Sequence, residues 1–410
     1  MSTVTADSSP EEERREFVAR ATAWLEANAT RRPTAEFAWG TGPDAMRLMG
    51  GEEGDEDARL AAARQWRAKV FDAGFGWLGG PMVYGGSGRS PELDHLYRAL
   101  EAGFDVPDQS AWNVAWEMVA PAILVHGSED VKQRYLKPIM RGELLCSQLL
   151  SEPEGGSDLA GLRTRAVRDG DEWVVNGQKV WSSYAHKAQL GQLVARTDPD
   201  VPKHQGITMF LLPLDTPGVE VRPLKQMNGG AEFNEVFLTD VRVPDANRVG
   251  APGGGWRAVL TTLMSERASV GSGKAATIDP VKVVMAMARH VGRADDPVIR
   301  QKLAEAYTVR RTIEWLTARA EAAVAGGRER GAEGSLVKLM GSKQNSRLAN
   351  LAGELLGPSL LADTGEWGTY TWSHFLCSAP GLRIAGGTDE IQHNIIGERV
   401  LGLPKEPPVG

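Results

Sequence analysis

The sequence predicts an α+β protein in which a helical region is followed by a mainly β region and then by a second helical region. In the first and last regions apolar residues recur at intervals of three and four, which is the helical period. In the middle, short runs of β-branched and aromatic residues are separated by Gly, Pro and Asp, as is typical of strands. Strands and helices do not alternate regularly, which argues against a doubly wound parallel sheet. We therefore predict domains at residues 1–145, 146–250 and 251–410.

The N-terminal region opens with a predicted helix. Its apolar residues, among them Phe17, Ala21 and Leu25, recur at the helical spacing, and Pro10 followed by three glutamates is a suitable start. Further along, the run GGPMVYGGSGRS at 79–90 allows two interpretations. It is either a loop whose backbone N–H groups hold a phosphate or, more commonly, an ordinary turn.

The central region is predicted to be a small, mainly antiparallel sheet or barrel. Its first hairpin is predicted in EWVVNGQKVW, with Asn176-Gly177 as the turn, because both positions of that turn accept positive φ. The segments GITMFLLPLD, GVEVRPL and EFNEVFLTDVRVP follow as further strands, and turn residues separate them.

Helices return after the glycines at 253–255. A long amphipathic helix is predicted from 296 to 325, with Ile299 and Tyr307 on its apolar stripe. Another helix is predicted from about 335 to 356.

Composition and charge narrow the possible classes of function. The 410 residues are 42% hydrophobic, an ordinary globular mixture, and the net charge of −7 argues against nucleic acid or an anionic membrane as a partner. The first residues lack a signal-peptide pattern, and no apolar run reaches the roughly 18 residues of a transmembrane helix. Cys146 and Cys377 have no metal-ligand spacing and suggest a reducing compartment. We expect a cytoplasmic protein without a metal site.

Three segments carry residues suited to chemistry, and each also allows a purely structural interpretation. SEPEGGSD (151–158) contains glycines that let the backbone approach a ligand, but it equally fits a helix cap and turn. Trp181 offers an aromatic plane, although a strand tryptophan is at least as often a packing residue. Glu266 is either an exposed helix charge paired with an arginine or, in a buried cleft, a general base.

Taken in order, these segments resemble the acyl-CoA dehydrogenase family over nearly the whole chain. LLSEPEGGSD resembles the family signature TEPxAGSD, NGQKVWSS resembles NGxKxWITN, and IAGGTDEIQHNIIGERVLGLP resembles GTSEIQRNIIAERVLGLP. YGGSG (84–88) and VRVPDANRVG resemble the family's N-terminal loop and the exit from its β domain. The resemblance implies a helical N-terminal domain, a central β-barrel-like domain and a C-terminal four-helix bundle. It also implies FAD between the β domain and the C-terminal helices, usually across a subunit interface.

The resemblance further implies the residues of the site. Many family members place the catalytic glutamate just before the Gly-Thr of the last signature, where this chain has Gly386. A minority, similar to isovaleryl-CoA dehydrogenase, place it on the first C-terminal helix, where MSER supplies Glu266. Glu266 is therefore the expected base, while Arg267 lines the acyl-CoA site and the Gly386 N–H donates to the enolate oxygen. The implied flavin contacts are Gln148, Leu149, Ser151, Gly156, Ser157, Trp181, Ser183, Thr388 and Glu390.

The implied reaction removes two hydrogens from the α and β carbons of an acyl-CoA thioester and gives the trans-2-enoyl-CoA. Glu266 takes the α proton in a dry site, FAD accepts the β hydride at N5, and an electron-transfer flavoprotein or similar acceptor receives the electrons. Two alternatives stay open. One is a related flavoenzyme, either an acyl-CoA oxidase or an enzyme acting on a carrier-bound acyl group. The other is a flavin-poor structural subunit of a heteromeric dehydrogenase.

Departures from the family pattern bear on assembly and substrate. The family's RxxFG…Q segment is not recognisable in 288–301, and Glu354 and Pro358 stand where QxxGG is common. In the family these segments contact the FAD of a neighbouring subunit. We therefore expect an oligomer, which is either a homodimer or homotetramer or a heterotetramer with a related subunit. Gly386 frees space near the thioester, so we hypothesise a branched, cyclic or sterol-derived acyl group.

Overall fold

The chain folds in the predicted order of N-terminal helices, central strands and C-terminal helices, and the α+β class is confirmed. No helix among the residues described below combines the length and the apolar character that crossing a membrane requires. The computed structural model describes residues 10–32, 38–41, 46, 48, 54–271, 279–325 and 331–405, and of residues 10, 266–271, 324 and 325 it describes only the helical backbone.

The N-terminal helices bury their apolar faces in shared cores. The predicted first helix is present, and its residues Phe17, Ala21 and Leu25 are almost completely buried. Two short strands, β1 (Thr30–Arg31) and β2 (Phe104–Asp105), pair antiparallel beside it. The helices are α1 (Pro10–Asn28), α2 (Glu56–Asp72), α3 (Glu92–Glu101), α4 (Ala120–His126), which follows a π-helical segment at Ala115–Val119, and α5 (Glu129–Arg141).

The glycine-rich run at 79–90 is a turn whose backbone donors are used within the protein. The N–H of Gly79 donates to the Asp94 carboxylate at 2.8 Å, and the N–H of Gly88 donates to the Gly80 carbonyl at 2.8 Å. Donors engaged in this way do not serve a phosphate, so of the two interpretations the ordinary turn is correct.

The central region is one mixed sheet in which antiparallel pairs predominate. Across it the strand order is β10-β7-β6-β4-β5-β9-β8, and β3 pairs in parallel with β6 outside this path. One face has a core of its own, while the other face packs on the N-terminal helices and on the first C-terminal helix. The strands are β3 (Cys146–Leu149), β4 (Arg165–Asp169), β5 (Glu172–Ser183), β6 (Leu190–Arg196), β7 (Ile207–Pro213), β8 (Val219–Pro223), β9 (Phe233–Pro244) and β10 (Arg248–Val249).

The predicted hairpin turn at Asn176-Gly177 is wrong, because both residues lie in the middle of β5. The chain reverses instead between β4 and β5, where Gly170 has φ 64°. The Asn176 side chain donates to the Asp240 carboxylate at 3.0 Å and accepts the Asp240 N–H at 2.9 Å, which fixes it in the β5–β9 ladder. A β-bulge accommodates Gly177, whose position leaves no room for a Cβ beside Thr164. Pairing across the sheet therefore overrides the local turn preference.

The C-terminal helices surround a second large core. The long helices begin and end within about one residue of the predicted limits. Ile299 is fully buried as predicted, but Tyr307 is 54% exposed and Ala306 takes the inward position. One residue is a rotation of about 100° on a helix, so at this turn the buried stripe lies one position earlier than predicted. The helices are α6 (Gly255–Gly271), α7 (Pro280–His290), α8 (Pro297–Ala325), α9 (Gly334–Leu356), α10 (Thr371–Leu382) and α11 (Asp389–Ile395).

Candidate active site

The first two signature segments are neighbours at one end of the sheet. After β3, the loop at 150–164 returns alongside β5. The N–H of Val180 donates to the Ser151 carbonyl at 2.9 Å. Ser151 is thereby fixed next to Trp181 and Ser183, so the structure brings these three predicted flavin contacts together.

A buried ion pair holds the loop against β5. Lys179 is 0% exposed and Glu152 8% exposed, and Lys179 Nζ lies 2.8 Å from Glu152 Oε1. The ammonium also donates to the Leu150 carbonyl at 3.0 Å. The carboxylate accepts the N–H groups of Arg163 at 2.6 Å and Thr164 at 2.9 Å. The Lys179–Glu152 pair therefore anchors both ends of the loop to β5.

The charges of this pair survive burial. Desolvation opposes ionisation of Glu152, but Lys179 and the backbone donors outweigh it, so the pKa of Glu152 is lowered. Burial lowers the pKa of Lys179 to about 8 despite the attraction of Glu152. Both groups are therefore charged at neutral pH.

A β-bulge turns Trp181 outward. Strict alternation along β5 places Trp181 on the same inward face as Lys179. The register shifts between Lys179 and Ser182, and Trp181 adopts φ 60°. As a result its side chain is 59% exposed while Ser182 is fully buried. Bulges often re-aim a side chain beside an active site, and this one presents an aromatic plane at the end of the sheet.

The other predicted contacts of the first signature differ in what they offer a ligand. The Leu149 side chain is buried in the sheet core, so only its backbone is available. Gly156 and Ser157 lie at the exposed tip of the loop, and a Cβ placed on Gly156 would meet nothing within 4 Å. Gln148 is half-buried, and its Nε2 is buried without a hydrogen-bond partner among the described residues.

The last signature forms a glycine turn before α11. Gly386 and Gly387 have φ 66° and 89°, and their carbonyls accept from Gln392 Nε2 at 2.8 and 3.3 Å. The buried Lys338 of α9 donates to the Gly387 carbonyl at 2.5 Å. Within the described chain no hydrogen bond engages the Gly386 N–H. The turn is thus held through its carbonyls, and one backbone donor is left for a ligand.

Thr388 and Glu390 follow this turn at the start of α11. Thr388 caps the helix by accepting the Ile391 N–H at 3.3 Å, and Glu390 is exposed. Between them, the buried Asp389 pairs with Arg383 at 2.6 Å. The pKa of Glu390 is lowered by its own backbone N–H and by the Thr388 hydroxyl, so the hydroxyl proton already has a partner in this carboxylate.

The predicted base and its neighbour lie in the second half of α6. Positions 266 and 267 are helical, and the side chains of Glu266 and Arg267 lie outside the described residues. Among the side chains and backbone groups that are described, no hydrogen bond or ion pair joins the Trp181 end of the sheet to the turn at 386–390. The sheet meets the C-terminal helices elsewhere, where Asn228 donates to Ser378 Oγ at 3.0 Å.

Sequence reasoning missed the buried charges that shape the site. Lys179 and Glu152 stand inside the two signatures, and alternation along β5 already puts Lys179 on the inward face, which signals a buried cation in need of a partner. Glu232, beside the end of β5, is 9% exposed, its carbonyl accepts the Tyr184 N–H at 2.6 Å, and its Oε1 has no partner among the described residues. Lys338 carries no comparable signal in its local sequence.

These features fit a flavin at the end of the sheet. The exposed Trp181 ring suits a flat aromatic ligand, and the unsatisfied Gln148 Nε2 and the open backbone at Gly156 suit its polar parts. The surface expected to receive the FAD of a neighbour fits less well. There Lys302 pairs with the Glu354 carboxylate and Arg293 pairs with Asp296 at 2.7 Å, so these cations are already neutralised.

Comparison with known proteins gives matches to a single family in all three regions of the chain. Family models described as acyl-CoA dehydrogenase N-terminal domain, middle domain and C-terminal domain match residues 47–143, 147–241 and 253–401. Acyl-CoA dehydrogenase IpdE1 of Mycobacterium tuberculosis (strain ATCC 25618 / H37Rv) is 36% identical over 394 residues, which cover 95% of this chain and 98% of that protein. The chain belongs to the acyl-CoA dehydrogenase family and is an oxidoreductase of that class.

Two solved structures extend this likeness to the whole fold. The Tcur3481-Tcur3483 steroid ACAD is 26% identical with a TM-score of 0.75, covering 97% of this chain and 99% of that chain. The ChsE4-ChsE5 complex from Mycobacterium tuberculosis is 28% identical with a TM-score of 0.70, covering 98% of this chain and 100% of that chain. Both structures are named as pairs of different proteins.

Proposed function

We propose that this chain catalyses FAD-dependent α,β-dehydrogenation of an acyl-CoA thioester, with Glu266 as the base that removes the α proton. The observation that carries the proposal is the turn at Gly386, which offers a backbone donor but no carboxylate. The carboxylate is therefore proposed to come from another element, and the resemblance of MSER to the family members with a base on the first C-terminal helix supports position 266 of α6.

The residues of the chain divide the work between them. Glu266 accepts the α proton, and exclusion of water makes its carboxylate a stronger base than in solution. The Gly386 N–H donates to the thioester oxygen, where negative charge develops as the proton leaves. Arg267 lies next along α6 and lines the acyl-CoA site. FAD, which the family typically binds, supplies the hydride acceptor when it is bound. Trp181, Ser183 and the loop at 150–164 hold it at the sheet end.

The acyl group is proposed to be branched, cyclic or sterol-derived. Gly386 has no side chain to fill the space beside the thioester, and one structural relative is named a steroid ACAD. A panel of octanoyl-CoA, isovaleryl-CoA and cyclohexanecarboxyl-CoA, added without oxygen, tests this by the rate at which the flavin absorbance bleaches. Fastest bleaching by octanoyl-CoA overturns the substrate proposal and leaves the reaction class intact.

The electrons are proposed to leave to an electron-transfer flavoprotein or a similar acceptor. The alternative of an acyl-CoA oxidase predicts oxygen consumption in step with product formation, and an oxygen electrode separates the two. A purified chain that takes up no FAD would favour the third possibility, a structural subunit.

The active assembly is proposed to be a heteromer with a related subunit. Large apolar side chains are exposed on the C-terminal helices, among them Trp315 at 64% and Met264 at 56%, and both structural relatives are named as pairs. The chain is coexpressed with a related acyl-CoA dehydrogenase subunit, and light scattering measures the mass of the purified complex. A stable homotetramer with full flavin content contradicts it.

Glu266→Gln is the direct test of the base. We expect FAD and acyl-CoA binding to persist while the limiting rate of flavin reduction falls by roughly three or more orders of magnitude, because removal of a general base at a reacting carbon has effects of this size. The matched control is Glu232→Gln, which removes a buried carboxylate beside β5 and should change the rate far less. A normal rate in Glu266→Gln, or the large loss in Glu232→Gln alone, removes Glu266 from the role.

A further inference from the structure

Gln192 places a side-chain amide in a part of the sheet that is otherwise apolar. It lies in β6, where the described residues from 190 to 195 are all buried, and its own exposure is 0%. A buried amide is unfavourable unless it is hydrogen-bonded, so its partners show what it does there.

The amide nitrogen of Gln192 joins the sheet to α6. Nε2 donates to Thr262 Oγ1 at 3.0 Å, and Met209 Sδ lies 3.4 Å from the same nitrogen. Thr262 is also 0% exposed, and its hydroxyl donates to the Ala258 carbonyl at 3.1 Å. The neighbouring contacts between α6 and the sheet are apolar, with Ala258 and Val259 buried in the shared core. Since apolar contacts have no preferred direction, this hydrogen bond is a directional contact that orients α6 on the sheet.

This bond lies one helical turn before position 266. The start of α6 is pressed against β7, because a Cβ on Gly255 would lie 2.7 Å from the backbone of Thr208. Thr262 is about two turns further on. Glu266 follows Thr262 by four residues, which places its backbone on the same face of the helix and about 6 Å further along the axis. A rotation of the helix at 262 is therefore passed on to 266.

Gln192, at the other end of this hydrogen bond, lies beside β3, which carries the predicted flavin contacts Gln148 and Leu149. In the parallel pair of β3 and β6, Gln148 stands directly opposite Gln192. Gln148 Nε2 and Gln192 Oε1 are both buried without a partner among the described residues. They are a donor and an acceptor on the same face of strands about 4.8 Å apart. Gln192 thus stands between Gln148 on β3 and Thr262 on α6, and its hydrogen bond to Thr262 is formed.

We propose that Gln192 is a positioning residue that sets the α6 backbone at position 266 relative to the flavin-contacting strand β3. The inference rests on the proposed function, in which Glu266 takes the α proton. The reacting groups must be held within fractions of an ångström, because a misplacement of about 1 Å costs up to roughly a hundredfold in rate. The amide of Gln192 supplies that precision from outside the site, without contact with the substrate.

Two variants that keep side-chain volume test this in the holoenzyme, Gln192→Leu and Thr262→Val. We expect the limiting rate of flavin reduction to fall about ten- to a hundredfold while the Kd of the acyl-CoA changes little. The probe is the member of the acyl-CoA panel that bleaches the wild-type flavin fastest, prepared with deuterium at the α or the β carbon. The α-deuterium isotope effect should rise in the variants, because proton removal is the misaligned step, and the β-deuterium effect should not. Independently of activity, backbone amides of α6 should exchange with deuterium faster, with or without FAD.

Two controls separate positioning from general damage. Thr262→Ser keeps the hydroxyl and should restore rate and isotope effects to near wild type. Thr261→Val removes the neighbouring bond from His126, whose Nε2 lies 2.8 Å from Thr261 Oγ1, and should change the rate by no more than about threefold. Wild-type rates and isotope effects in both Gln192→Leu and Thr262→Val overturn the inference alone. A wild-type flavin that no acyl-CoA reduces overturns the proposed function itself. A normal rate in Glu266→Gln overturns the base assignment and this inference together.

Discussion

The two halves of the candidate site are each held by a buried lysine, and the lysines work differently. In the sheet half, Lys179 meets a carboxylate, Glu152, which also binds the far end of the loop. In the helical half, Lys338 donates to the carbonyl of Gly387 in the glycine turn. A buried charge paired with another charge makes an anchor that fails badly when one member is lost. In the glycine turn, the Gly387 carbonyl is neutral and has a second donor in Gln392, so the turn keeps a hydrogen bond without Lys338. The half that we assign to the flavin is thus the more strictly fixed. The half near the thioester tolerates change, and there the family's usual glutamate is replaced by Gly386.

Lys179→Met tests the stricter half and should have the largest effect on stability. It leaves the Glu152 carboxylate buried without its counter-charge, so the free energy of unfolding should fall by about 3–5 kcal/mol. FAD affinity should fall with it, because both ends of the loop at 150–164 are released. Urea denaturation and titration of FAD fluorescence measure the two effects.

The double variant Lys179→Met/Glu152→Gln sharpens this test. It leaves no unpaired ion, and the side-chain oxygen of the new glutamine remains an acceptor for the N–H groups of Arg163 and Thr164, so most of the lost stability should return. A single-variant cost below about 1 kcal/mol would show that the pair is not an anchor.

Lys338→Met tests the helical half, and loss of the hydrogen bond to the Gly387 carbonyl should cost about 1–3 kcal/mol of unfolding free energy. The Gly387 carbonyl that loses its donor is neutral, and Gln392 continues to hold the turn. Flavin reduction should suffer more than stability does, since the turn carries the Gly386 N–H. Urea denaturation and stopped-flow reduction of the flavin measure the two quantities side by side. A stability loss equal to that of Lys179→Met would erase the difference between the halves.

The fold was predictable from sequence wherever periodicity and burial agree. The change from a helical period to strand runs and back gives the order of elements, and α8 and α9 end close to their predicted limits. The local turn signal of Asn176-Gly177 failed because Asp240, 64 residues away, pairs with Asn176 and keeps both residues within the β5–β9 ladder. No window of local sequence contains that contact.

The candidate site was predictable in its motifs but not in its geometry. Trp181 was identified, yet alternation alone turns it inward, and only the bulge between Lys179 and Ser182 explains its exposure. The Gln192–Thr262 bond joins residues 70 positions apart, so it too was outside the reach of local patterns. The positions of Glu266 and Arg267 relative to the glycine turn stay a prediction.

Acid titration should give the smallest effect and tests the charge of the Lys179–Glu152 anchor. The pKa of Glu152 is lowered in the folded protein from its ordinary value of 4.5, because Lys179 and the N–H donors outweigh burial. As pH falls below 4.5, the unfolded chain takes up a proton at this site before the folded protein does. The stability contributed by Glu152 is therefore complete above pH 4.5 and is lost as pH falls through the lower folded pKa. In Glu152→Gln this loss is absent, while the other carboxylates titrate as before. Between pH 5 and about 3, urea midpoints of the wild type should fall more steeply than those of Glu152→Gln. Equal slopes for wild type and Glu152→Gln would mean that Glu152 has the same proton affinity in both states, and the ion pair would then lose its place as the anchor of the sheet half.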